Sequence, residues 1–599
     1  LFFVSSFTQA SAPISATSFP ASLVAPTPTT NANLPLVRAN FASLADALDY
    51  AAQGETGLNF YDGKGMLETA LSYESLRTQA RIMACHLLGL GLKRGERIGV
   101  VASMTPEFVV GFFACQYAGL LCVPLPVVTG LGGRIGYQAA LTRVLTSSGA
   151  RVALGMNENL ADLNQALTGV EMLLIGTNAD VMAIPPASES VLQPFAVDED
   201  SHIQYSSGST RYPLGVTINQ RAFMANAQAV AEHGLAMRAG DRCASWLPFY
   251  HDMGLIGFLL IPLTCQMSID FINTDSFARR PMLWLEIISR NRCTLSFSPT
   301  FGYEVCTRRA AKRSDMNLDL SCWRAAGIGG EMVQPEIMSN FAATFADSGF
   351  APTAFVPSYG LAEVTLAFSF TELDHGVFID TVDKDSLAEG GEVHAATSAE
   401  NARQFAGCGA PLPGYLMQIR GENNEALSER HVGCVYVKGP SLMTGYFEHE
   451  VDTDMVIDAE GWLNTGDMGY VAGGPLFITG RQKDLIIING RNIWPQDIEW
   501  HAENEISELR TRDTAAFSVE DAHGKEHAVL LVHCRLLDSA ARLDVRHRVH
   551  AAVFRNGGID VKVVLIPAGS LPFTTSGKLS RAKAKQAYIK GELCDVESA

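Results

Sequence analysis

Small hydroxylated residues follow an apparent strand end in the stretch QYSSGSTRYPLGV, Gln204–Val216. Side chains this small let the backbone approach an anion, so its N–H groups and the neighbouring hydroxyls can hold phosphate oxygens. The Walker spacing GxxxxGK[ST] is absent, and taken alone a Ser/Gly-rich stretch is more often a plain loop. The hypothesis of a phosphate-binding loop therefore depends on what else the chain carries.

A second stretch, SYGLAEVT at Ser358–Thr365, combines an aromatic ring with a carboxylate. Tyr359 could stack on a nucleotide base, and Glu363 could hold a divalent metal that bridges phosphates. The same letters are also typical of a strand-to-helix turn with a solvated glutamate. Both interpretations stay open on this stretch alone.

Two further turns each contain a charged residue that could contact a nucleotide. GWLNTGDMG, Gly461–Gly469, places Asp467 between glycines, where a carboxylate can accept both hydroxyls of a ribose; ordinary Asx-turn chemistry is the alternative. TTSGKLSR contains Lys578, which by itself is more often a solvated surface lysine. The functional interpretation of the four stretches is favoured because they occur in one chain and in a defined order.

The elements that must position these residues alternate between helix and strand. From Ser72 the sequence predicts an amphipathic helix closed by glycines, a short buried strand at RIGVVAS, a helix at Pro106–Tyr117 and a strand at LLCVPLP. Such alternation predicts a doubly wound parallel sheet. The same rhythm from Arg221 to about Phe370 predicts a second, similar layer.

The later segments differ in character. Thr371–Arg403 is polar and acidic, which indicates an excursion on the surface, and Gly433–Ile488 alternates short apolar runs with Gly-rich turns, which predicts mostly β structure. GRQKD then leads into a compact α+β segment. We therefore predict an α/β protein with a large N-terminal domain of two doubly wound layers plus a β-rich subdomain, followed by a small mobile α+β C-terminal domain. The predicted divisions are a flexible tail over 1–37, the large domain over 38–482 with an insertion at about 371–403, and the small domain over 483–599.

The composition of the chain limits which classes of partner the protein could bind. A chain of 599 residues is too long to form a single hydrophobic core. Its 47% hydrophobic and 18% charged residues are typical of folded α/β proteins. A formal charge of −18 argues against nucleic acid or an anionic membrane. From Asp484 onward the chain has 15 basic against 16 acidic residues, with basic clusters at Arg542–Arg555 and Lys578–Lys590. This nearly neutral part is the better surface for an acidic partner.

Cysteine usage and the apolar segments indicate a cytoplasmic protein. The 12 cysteines show no CxxC pair and no metal-ligand spacing, which predicts reduced, buried thiols. The N-terminal LFFVSSFTQA carries no basic region and no evident cleavage site, so a secretory signal is not indicated. Val109–Val128 is uncharged over 20 residues, but Pro124 and Pro126 interrupt it. We predict a buried helix and strand there and no integral membrane segment.

Taken together, the motifs resemble the core motifs of the ANL adenylating superfamily, which includes acyl-CoA synthetases, nonribosomal-peptide adenylation domains and luciferases. The resemblance spans roughly Leu71 to Lys590. It is carried by YSSGST, LPFYHDMG, GIGGE, SYGLAE, NTGD, GRQKDLIIINGRNIWPQDIE and TSGK.

Three details resemble the fatty acyl-AMP ligases within that superfamily. Arg211 and Leu214 stand where the wider superfamily favours Gly and Lys, and Ala362 stands where it favours Thr. The Thr371–Arg403 segment lies where these ligases carry an insertion. Leu214 removes a cation from beside the triphosphate, and our hypothesis is that Arg211 supplies that charge, with more donors than lysine has.

The resemblance implies a site for ATP and Mg²⁺. Asp467 and Arg481 would hold the ribose, and Glu363 would position Mg²⁺. The remaining implied nucleotide contacts are Ser206, Ser207, Gly208, Ser209, Thr210 and Arg211 at the phosphates, and Gly329, Gly330, Glu331, Ser358 and Tyr359 around the adenine.

The resemblance also implies a reaction in two steps. A fatty carboxylate attacks the α-phosphate and expels pyrophosphate, and Lys578 is the candidate cation that contacts both anions. The small domain then rotates about Lys483, and the acyl group passes to the phosphopantetheine thiol of an acyl carrier protein. His251 would lie near the acyl carboxylate, with a packed core histidine as the alternative. Leu255–Leu263 and Leu295–Tyr303 are either walls of an acyl pocket or plain core.

Three other interpretations stay open. A fatty acyl-CoA synthetase would share the first step and use CoA as acceptor. A stand-alone amino-acid adenylation domain would require a side-chain pocket that the sequence does not show. A pseudoenzyme that binds acyl-AMP without turnover is favoured slightly by Leu214 and Ala362, whereas intact Glu363, Asp467 and Lys578 argue against it.

Overall fold

The computed structural model of the protein describes Thr29 and residues 34–127, 134–205, 214–312, 317–389, 391–488, 491–520, 526–574 and 579–596. The β-strands of this described part are β1 (Gly57–Tyr61), β2 (Leu67–Ser72), β3 (Arg97–Val101), β4 (Leu121–Leu125), β5 (Val152–Leu154), β6 (Leu174–Gly176), β7 (Asp200–Tyr205), β8 (Gly215–Asn219), β9 (Arg242–Ser245), β10 (Ser268–Ile272), β11 (Leu295–Ser298), β12 (Ala325–Ile328), β13 (Phe355–Tyr359), β14 (Ser369–Phe370), β15 (Ile379–Asp383), β16 (Ala402–Ala406), β17 (Ala410–Pro411), β18 (Leu416–Arg420), β19 (Gly433–Lys438), β20 (Gly445–Tyr446), β21 (Leu463–Val471), β22 (Leu476–Arg481), β23 (Ile486–Ile488), β24 (Arg491–Ile493), β25 (Thr514–Glu520), β26 (Glu526–Cys534) and β27 (Val561–Pro567).

The α-helices of the same residues are α1 (Leu44–Ala51), α2 (Tyr73–Gly89), α3 (Pro106–Ala118), α4 (Arg134–Ser148), α5 (Leu160–Ala166), α6 (Asn178–Met182), α7 (Gln220–Ala229), α8 (Asp252–Leu255), α9 (Ile261–Thr264), α10 (Thr274–Arg279), α11 (Met282–Asn291), α12 (Thr300–Ala310), α13 (Pro335–Thr344), α14 (Lys384–Glu389), α15 (Glu450–Val456), α16 (Pro495–Glu505), α17 (Ser539–Gly557) and α18 (Arg581–Ile589). Two π-helical turns, Val230–Gly234 and Ile256–Leu260, continue α7 and α8.

Two mostly parallel sheets form the body of the large domain, as the alternating pattern predicted. One has nine strands in the order β17-β14-β13-β12-β11-β9-β10-β1-β2, and the other has seven in the order β20-β8-β7-β4-β3-β5-β6. The run β13-β12-β11-β9-β10-β1 is parallel throughout, with antiparallel strands at both ends of the sheet. Strands of this kind are covered on both faces and are therefore almost wholly apolar.

The described part of the uncharged stretch, residues 109–127, is confirmed as a buried helix and strand. Pro106 starts α3, Gly119 ends it in the left-handed conformation with φ of 66°, and β4 follows. Every residue from Phe108 to Ala118 is buried, in a cluster shared with both large sheets. Nowhere in the described chain does a helix combine the length and apolar character needed to cross a membrane.

The described residues of the insertion, 371–403, are mostly exposed or half-buried, as expected for a surface excursion, and they also form regular secondary structure. β15 and β16 pair antiparallel, with α14 between them in the chain. Val382, Leu387 and Phe405 are buried in a separate cluster with Tyr470, Phe477 and Trp494. The insertion contains few apolar residues. They can still form a core because β21, β22 and Trp494 supply the large aromatic partners.

The C-terminal part has its own sheet and its own core. β25, β26 and β27 form a three-stranded sheet, and α16, α17 and α18 pack against it. The buried residues divide into two clusters, one under α16 and α17 and one under α18. The α+β class predicted for this part is confirmed. The boundary predicted at 482/483 stays a prediction.

The predicted flexible tail over 1–37 needs correction at Thr29, while residues 1–28 and 30–33 lie outside the described part. Thr29 is buried, and its backbone N–H donates to Asn59 Oδ1 at 2.8 Å. Arg242 in turn donates to the Thr29 carbonyl at 3.0 Å. Eight of the 12 cysteines are buried, as their apolar surroundings predicted.

Candidate active site

A cavity of about 620 Å³ opens at the carboxyl ends of β11, β12 and β13. Its other walls come from β21, β22 and the small domain, including α16 and the start of α18. In doubly wound folds ligands bind outside the carboxyl ends of the strands. The predicted site residues inside the described part line this one cavity: His251, Gly329, Gly330, Glu331, Ser358, Tyr359, Glu363, Asp467, Arg481 and Lys483.

An aromatic ring, a carboxylate and a guanidinium form a chain at one side of the cavity. The Tyr359 hydroxyl donates to Asp467 Oδ2 at 2.8 Å, and Arg481 Nε lies 3.2 Å from Asp467 Oδ1. The pairing of β21 with β22 sets Asp467 directly opposite Arg481. Burial and the nearby Asp467 raise the pKa of Tyr359, and Asp467 raises the pKa of Arg481. The carboxylate of Asp467 is thus held next to the ring of Tyr359. A nucleoside could bind to these two groups through its ribose and its base.

Glycines leave space for a flat ring next to Tyr359. A β-carbon added to Gly329 would lie 3.1 Å from Ser358 Oγ, and Gly330 adopts a φ of 80°, which favours glycine. Ser358 Oγ donates to the Ile328 carbonyl at 3.2 Å, so it is tied to the neighbouring strand. A base could therefore approach the backbone closely at this end of β12 and β13.

Glu363 is a half-buried carboxylate of the cavity, and its hydrogen-bond donor is a phenol. The Tyr446 hydroxyl donates to Glu363 Oε1 at 2.9 Å. Burial raises the pKa of Glu363, and the nearby Asp252 raises it further, although Arg481 acts in the opposite direction. A divalent cation placed here would lower the cost of keeping this carboxylate ionised.

The chemistry of the cavity fits Mg²⁺ through one carboxylate, that of Glu363. The described residues contain no group of three or more Cys, His, Asp or Glu side chains arranged to hold a metal. Mg²⁺ is usually bound by one or two carboxylates together with substrate phosphates and water. Glu363 would be the protein ligand, and the bound metal would neutralise charge on the phosphates.

His251 lies on the cavity wall, with 17% of its side chain exposed. It caps the N-terminus of α8, and its Nδ1 lies 2.6 Å from Asp252 Oδ1. The same Nδ1 accepts from the Met253 N–H at 3.3 Å, so these neighbours hold the imidazole ring at the cavity wall. The core-histidine alternative does not describe this residue, because part of its ring reaches the cavity.

Apolar residues also line the cavity. Gly257 and Phe258 come from the predicted wall Leu255–Leu263, and Phe297 and Phe301 come from Leu295–Tyr303. Most of the other residues in these two stretches are buried in the main core. Some residues of these two stretches therefore line the cavity, and others are plain core.

Contacts between the large and small domains complete the cavity, and sequence reasoning missed them. Arg512 forms an ion pair with Glu331, and its guanidinium carbon lies 4.1 Å from the centre of the Phe301 ring. Thr511 Oγ1 donates to Glu304 Oε1 at 2.6 Å. No local spacing signals these pairs, because their members lie about two hundred residues apart in sequence.

The predicted hinge residue lies where the two domains meet. Lys483 belongs to a short turn, Gln482–Asp484, directly after β22. Burial and the neighbouring Arg481 lower the pKa of Lys483. Asp484 and Glu499 both pair with Arg581 of α18, at 3.3 and 2.6 Å. The turn is thus linked to the helix that follows the TSGK motif.

Two groups of predicted site residues lie outside the described part of the chain. These are the hydroxylated stretch with its arginine, at 206–211, and Lys578. Gln204, Tyr205 and Leu214, which precede and follow the first group, line the cavity. Thr574 and Leu579, on either side of the TSGK motif, line it as well.

Comparison with known proteins is consistent with this geometry. Residues 53–447 match the AMP-binding enzyme family. A putative acyl-CoA synthetase from Caulobacter vibrioides is 45% identical over 93% of this chain and 97% of its own length. A medium-chain-fatty-acid–[acyl-carrier-protein] ligase from Moorena producens is 31% identical over 93% of this chain and 97% of its own. A structure from a study of fatty acyl-adenylate ligases of E. coli and L. pneumophila is 44% identical, with a TM-score of 0.88, and the match covers 93% of this chain and all of that one.

Proposed function

Because the chain belongs to the AMP-binding enzymes of the ANL adenylating superfamily, we propose that it uses ATP to convert a fatty acid into an acyl-adenylate and pyrophosphate. One observation carries the proposal. A single cavity is lined by the Tyr359–Asp467–Arg481 chain, by Glu363 and by apolar side chains such as Phe258 and Phe297. A nucleotide and an alkyl chain can therefore meet at their reactive ends.

The first reaction joins two anions. The fatty carboxylate forms a bond to the α-phosphorus of ATP, the bond from that phosphorus to the bridging oxygen breaks, and pyrophosphate leaves. Since both reactants are negative, positive charge must already be in place. Arg481 and Lys483 line the cavity. By resemblance, Lys578 adds the cation that contacts both the carboxylate and the α-phosphate.

The acceptor of the acyl group is the finer part of the proposal. We propose the phosphopantetheine thiol of an acyl carrier protein, whose sulfur attacks the acyl carbonyl while AMP leaves and the thiol proton passes to solvent. The Moorena relative is named for a carrier-protein acceptor. Arg211, Ala362 and the insertion resemble the fatty acyl-AMP ligases. Free CoA is the second candidate, because the Caulobacter relative is named an acyl-CoA synthetase.

The two steps can be tested in sequence. Pyrophosphate release on adding ATP and a fatty acid is expected, and its absence with every fatty acid would reject adenylation. Mass spectrometry then follows the acyl group when CoA and holo-carrier protein are offered together. Acyl-carrier protein as the main product supports the proposed acceptor. Acyl-CoA as the main product would replace it with the second candidate.

A further inference from the structure

We propose that a second cavity, between the insertion and the small domain, binds a small organic anion whose phosphate or carboxylate group is held by Arg403. The volume of this cavity, about 970 Å³, lies within the range of small-molecule sites. Its walls include α14 and β16 on one side and β24 and α16 on the other. We call it the insertion cavity. The inference does not depend on the adenylation reaction.

Arg403 is a buried arginine that lacks hydrogen-bond acceptors. It lines the insertion cavity, and its Nη1 lies 2.7 Å from Asp497 Oδ2. None of its three nitrogens has a hydrogen-bond partner among the described residues. Its guanidinium carbon lies 4.4 Å from the ring centre of Phe405 and 6.0 Å from that of Trp500, and such ring contacts do not use the N–H groups. The edge formed by Nε and Nη2 matches the paired oxygens of a carboxylate or a phosphate.

Two other arginines of the described chain are buried, and both have acceptors. Arg242 donates to the two oxygens of Asp270, each at 2.7 Å. Arg420 donates to Asp458 at 2.9 Å and to two neighbouring side-chain amides. A buried guanidinium without acceptors is costly. Arg403 therefore marks a place where an acceptor from outside the chain would stabilise the protein.

Trp494 is a second unpartnered donor on the same cavity. It is 2% exposed, and its indole Nε1 has no hydrogen-bond partner among the described residues. Buried indole N–H groups usually find an acceptor. Within the described chain, the unpartnered buried side-chain atoms of the residues that line the insertion cavity all belong to Arg403 and Trp494, and all are donors. A ligand that supplies acceptor oxygens is the chemical complement of such a cavity.

The charges near Arg403 also favour an anion. Burial raises the pKa of Asp497 to about 6, although Arg403 and Lys384 both act in the opposite direction. Two cations thus act on one carboxylate. The charged residues that line the whole cavity are Lys384, Arg403 and Arg491 against Glu336, Asp385 and Asp497. Since Asp385 pairs with Arg491 at 3.6 Å, it does not compensate the other two cations.

The remaining walls suit the body of an organic anion. Leu387, Ile493 and Ile559 line the cavity together with the ring of Trp500. A free phosphate ion would fill only a small part of this volume, whereas an aromatic anion can stack on an indole ring. Trp500 and Gln334 also line the adenylating cavity. The two cavities are therefore neighbours that share part of a wall.

The experiment titrates the whole chain with phenyl phosphate, benzoate and neutral benzyl alcohol by isothermal calorimetry. α,β-Methylene-ATP is present throughout, so that the nucleotide part of the adenylating cavity is filled and no adenylate forms. At least one of the two anions should bind, and benzyl alcohol should bind about tenfold more weakly or not at all. Arg403→Gln should weaken anion binding about tenfold, as expected for lost hydrogen bonds from a charged group. Trp494→Phe should weaken it severalfold and is the second variant, in case Arg403→Gln does not fold.

The matched control is Arg420→Gln. The Arg420 side chain is 6% exposed, pairs with Asp458 and lies 4.2 Å from the ring centre of Tyr436. Arg420 is not among the residues that line either cavity. This variant should lose stability to a similar extent and keep wild-type anion binding. Equal weakening in Arg420→Gln and Arg403→Gln would assign the effect to general loosening and overturn the inference.

The probes also separate the two ligand classes. Tighter binding of phenyl phosphate supports the site and identifies a phosphate ester as its ligand, and tighter binding of benzoate supports it and identifies a carboxylic acid. Binding of neither anion, or equally tight binding of benzyl alcohol, would reject the site. Anion binding that both Arg403→Gln and Trp494→Phe leave unchanged would belong to the adenylating cavity and would reject it as well.

Discussion

At the residue scale, both functional carboxylates of the cavity accept from a phenol, and among the described residues they differ in that Asp467 also forms an ion pair. Asp467 has a guanidinium beside it, since Arg481 Nε is 3.2 Å away. Glu363 has a phenol, the Tyr446 hydroxyl, and its pKa is raised by burial. A carboxylate buried next to a neutral donor gains most from a cation supplied by the substrate complex. This difference agrees with a ribose-binding role for Asp467 and a metal-binding role for Glu363.

Tyr446→Phe tests how Glu363 is positioned. The variant removes the 2.9 Å hydrogen bond to Glu363 Oε1 and keeps the ring. A hydrogen bond to a charged group contributes about 1.5–3 kcal/mol. The Mg²⁺ concentration for half-maximal pyrophosphate release should therefore rise about tenfold, and Mn²⁺ binding measured by electron paramagnetic resonance in the presence of ATP should weaken in parallel.

Tyr415→Phe is the control for this variant. Its hydroxyl is also buried and hydrogen-bonded, donating to Ser441 Oγ at 2.6 Å in the core of the large domain. It should leave the Mg²⁺ dependence unchanged. Equal Mg²⁺ dependence in wild type and Tyr446→Phe would show that Tyr446 does not position Glu363.

Lys578→Ala tests the proposed bridging cation. Losing a fixed charge at the reacting centre typically costs about two to three orders of magnitude in rate. Acyl-adenylate formation should fall by that factor, while the dissociation constant for ATP, measured by calorimetry, changes little. Lys590, a basic residue exposed after α18, supplies the control variant Lys590→Ala. Full adenylation by Lys578→Ala would remove this residue from the mechanism.

At the element scale, α16 joins three parts of the molecule through its acidic residues. Asp497 pairs with Arg403 of the insertion at 2.7 Å, and Glu499 pairs with Arg581 of α18 at 2.6 Å. Glu503 accepts from the Thr514 hydroxyl at 2.6 Å. Burial raises the pKa of Asp497 to about 6 and that of Glu503 to about 8. One short helix thus carries several carboxylates whose charge depends on what packs against them.

Glu503→Gln should change how stability depends on pH. The ordinary pKa of a glutamate is 4.5, and burial raises that of Glu503 to about 8. Between these values the unfolded chain releases a proton that the folded protein keeps, so stability falls as pH rises through this window. Glutamine resembles the protonated carboxyl and does not titrate. The variant should melt about 2–4 °C above wild type at pH 8 and level with it at pH 5, as measured by calorimetry.

Glu505→Gln gives the comparison for that measurement. Glu505 is exposed on the same helix and pairs with Arg555 at 3.1 Å. Its effect on melting should not differ between pH 5 and pH 8. A constant difference between Glu503→Gln and wild type across this range would contradict the raised pKa.

For the whole molecule, the arrangement of the two domains depends on contacts at the edge of the cavity. Arg512 and Thr511 of the small domain bind Glu331 and Glu304 of the large one, and Arg403 meets α16 on the other side. Arg403 is only 7% exposed, and among the described residues its nitrogens have no hydrogen-bond partner apart from the ion pair with Asp497. An ion pair buried in this way stabilises weakly, because desolvation offsets the attraction. The two parts of the chain thus meet through charged and polar pairs at the edge of the cavity, which suits the proposed change of their arrangement between steps.

Arg512→Ala tests this docking. The variant removes the pair with Glu331 and the contact with Phe301. Acyl-adenylate formation should slow about tenfold, as expected for one lost charge-assisted contact. Transfer of the acyl group from added acyl-adenylate should stay near the wild-type rate. Rapid-quench measurements of the two half-reactions separate these effects.

Arg548→Ala is the matched control for the docking test, because Arg548 pairs with Glu508 within the small domain. Neither half-reaction should change in this variant. If Arg512→Ala slows both half-reactions equally, the contact serves general stability and not the docked arrangement.

Sequence alone determined the family, the α/β class and the alternation that builds two parallel sheets, because motif order and apolar periodicity are local properties of the chain. It also singled out His251, Tyr359, Glu363 and Asp467, which the fold places around one cavity. Only the tertiary structure decided which groups touch them. Tyr446 lies 83 residues from Glu363, and Arg512 lies 181 residues from Glu331. The insertion's core is likewise built from distant segments. Contacts of this kind arise when separate strands and helices pack together, so no spacing along the chain records them.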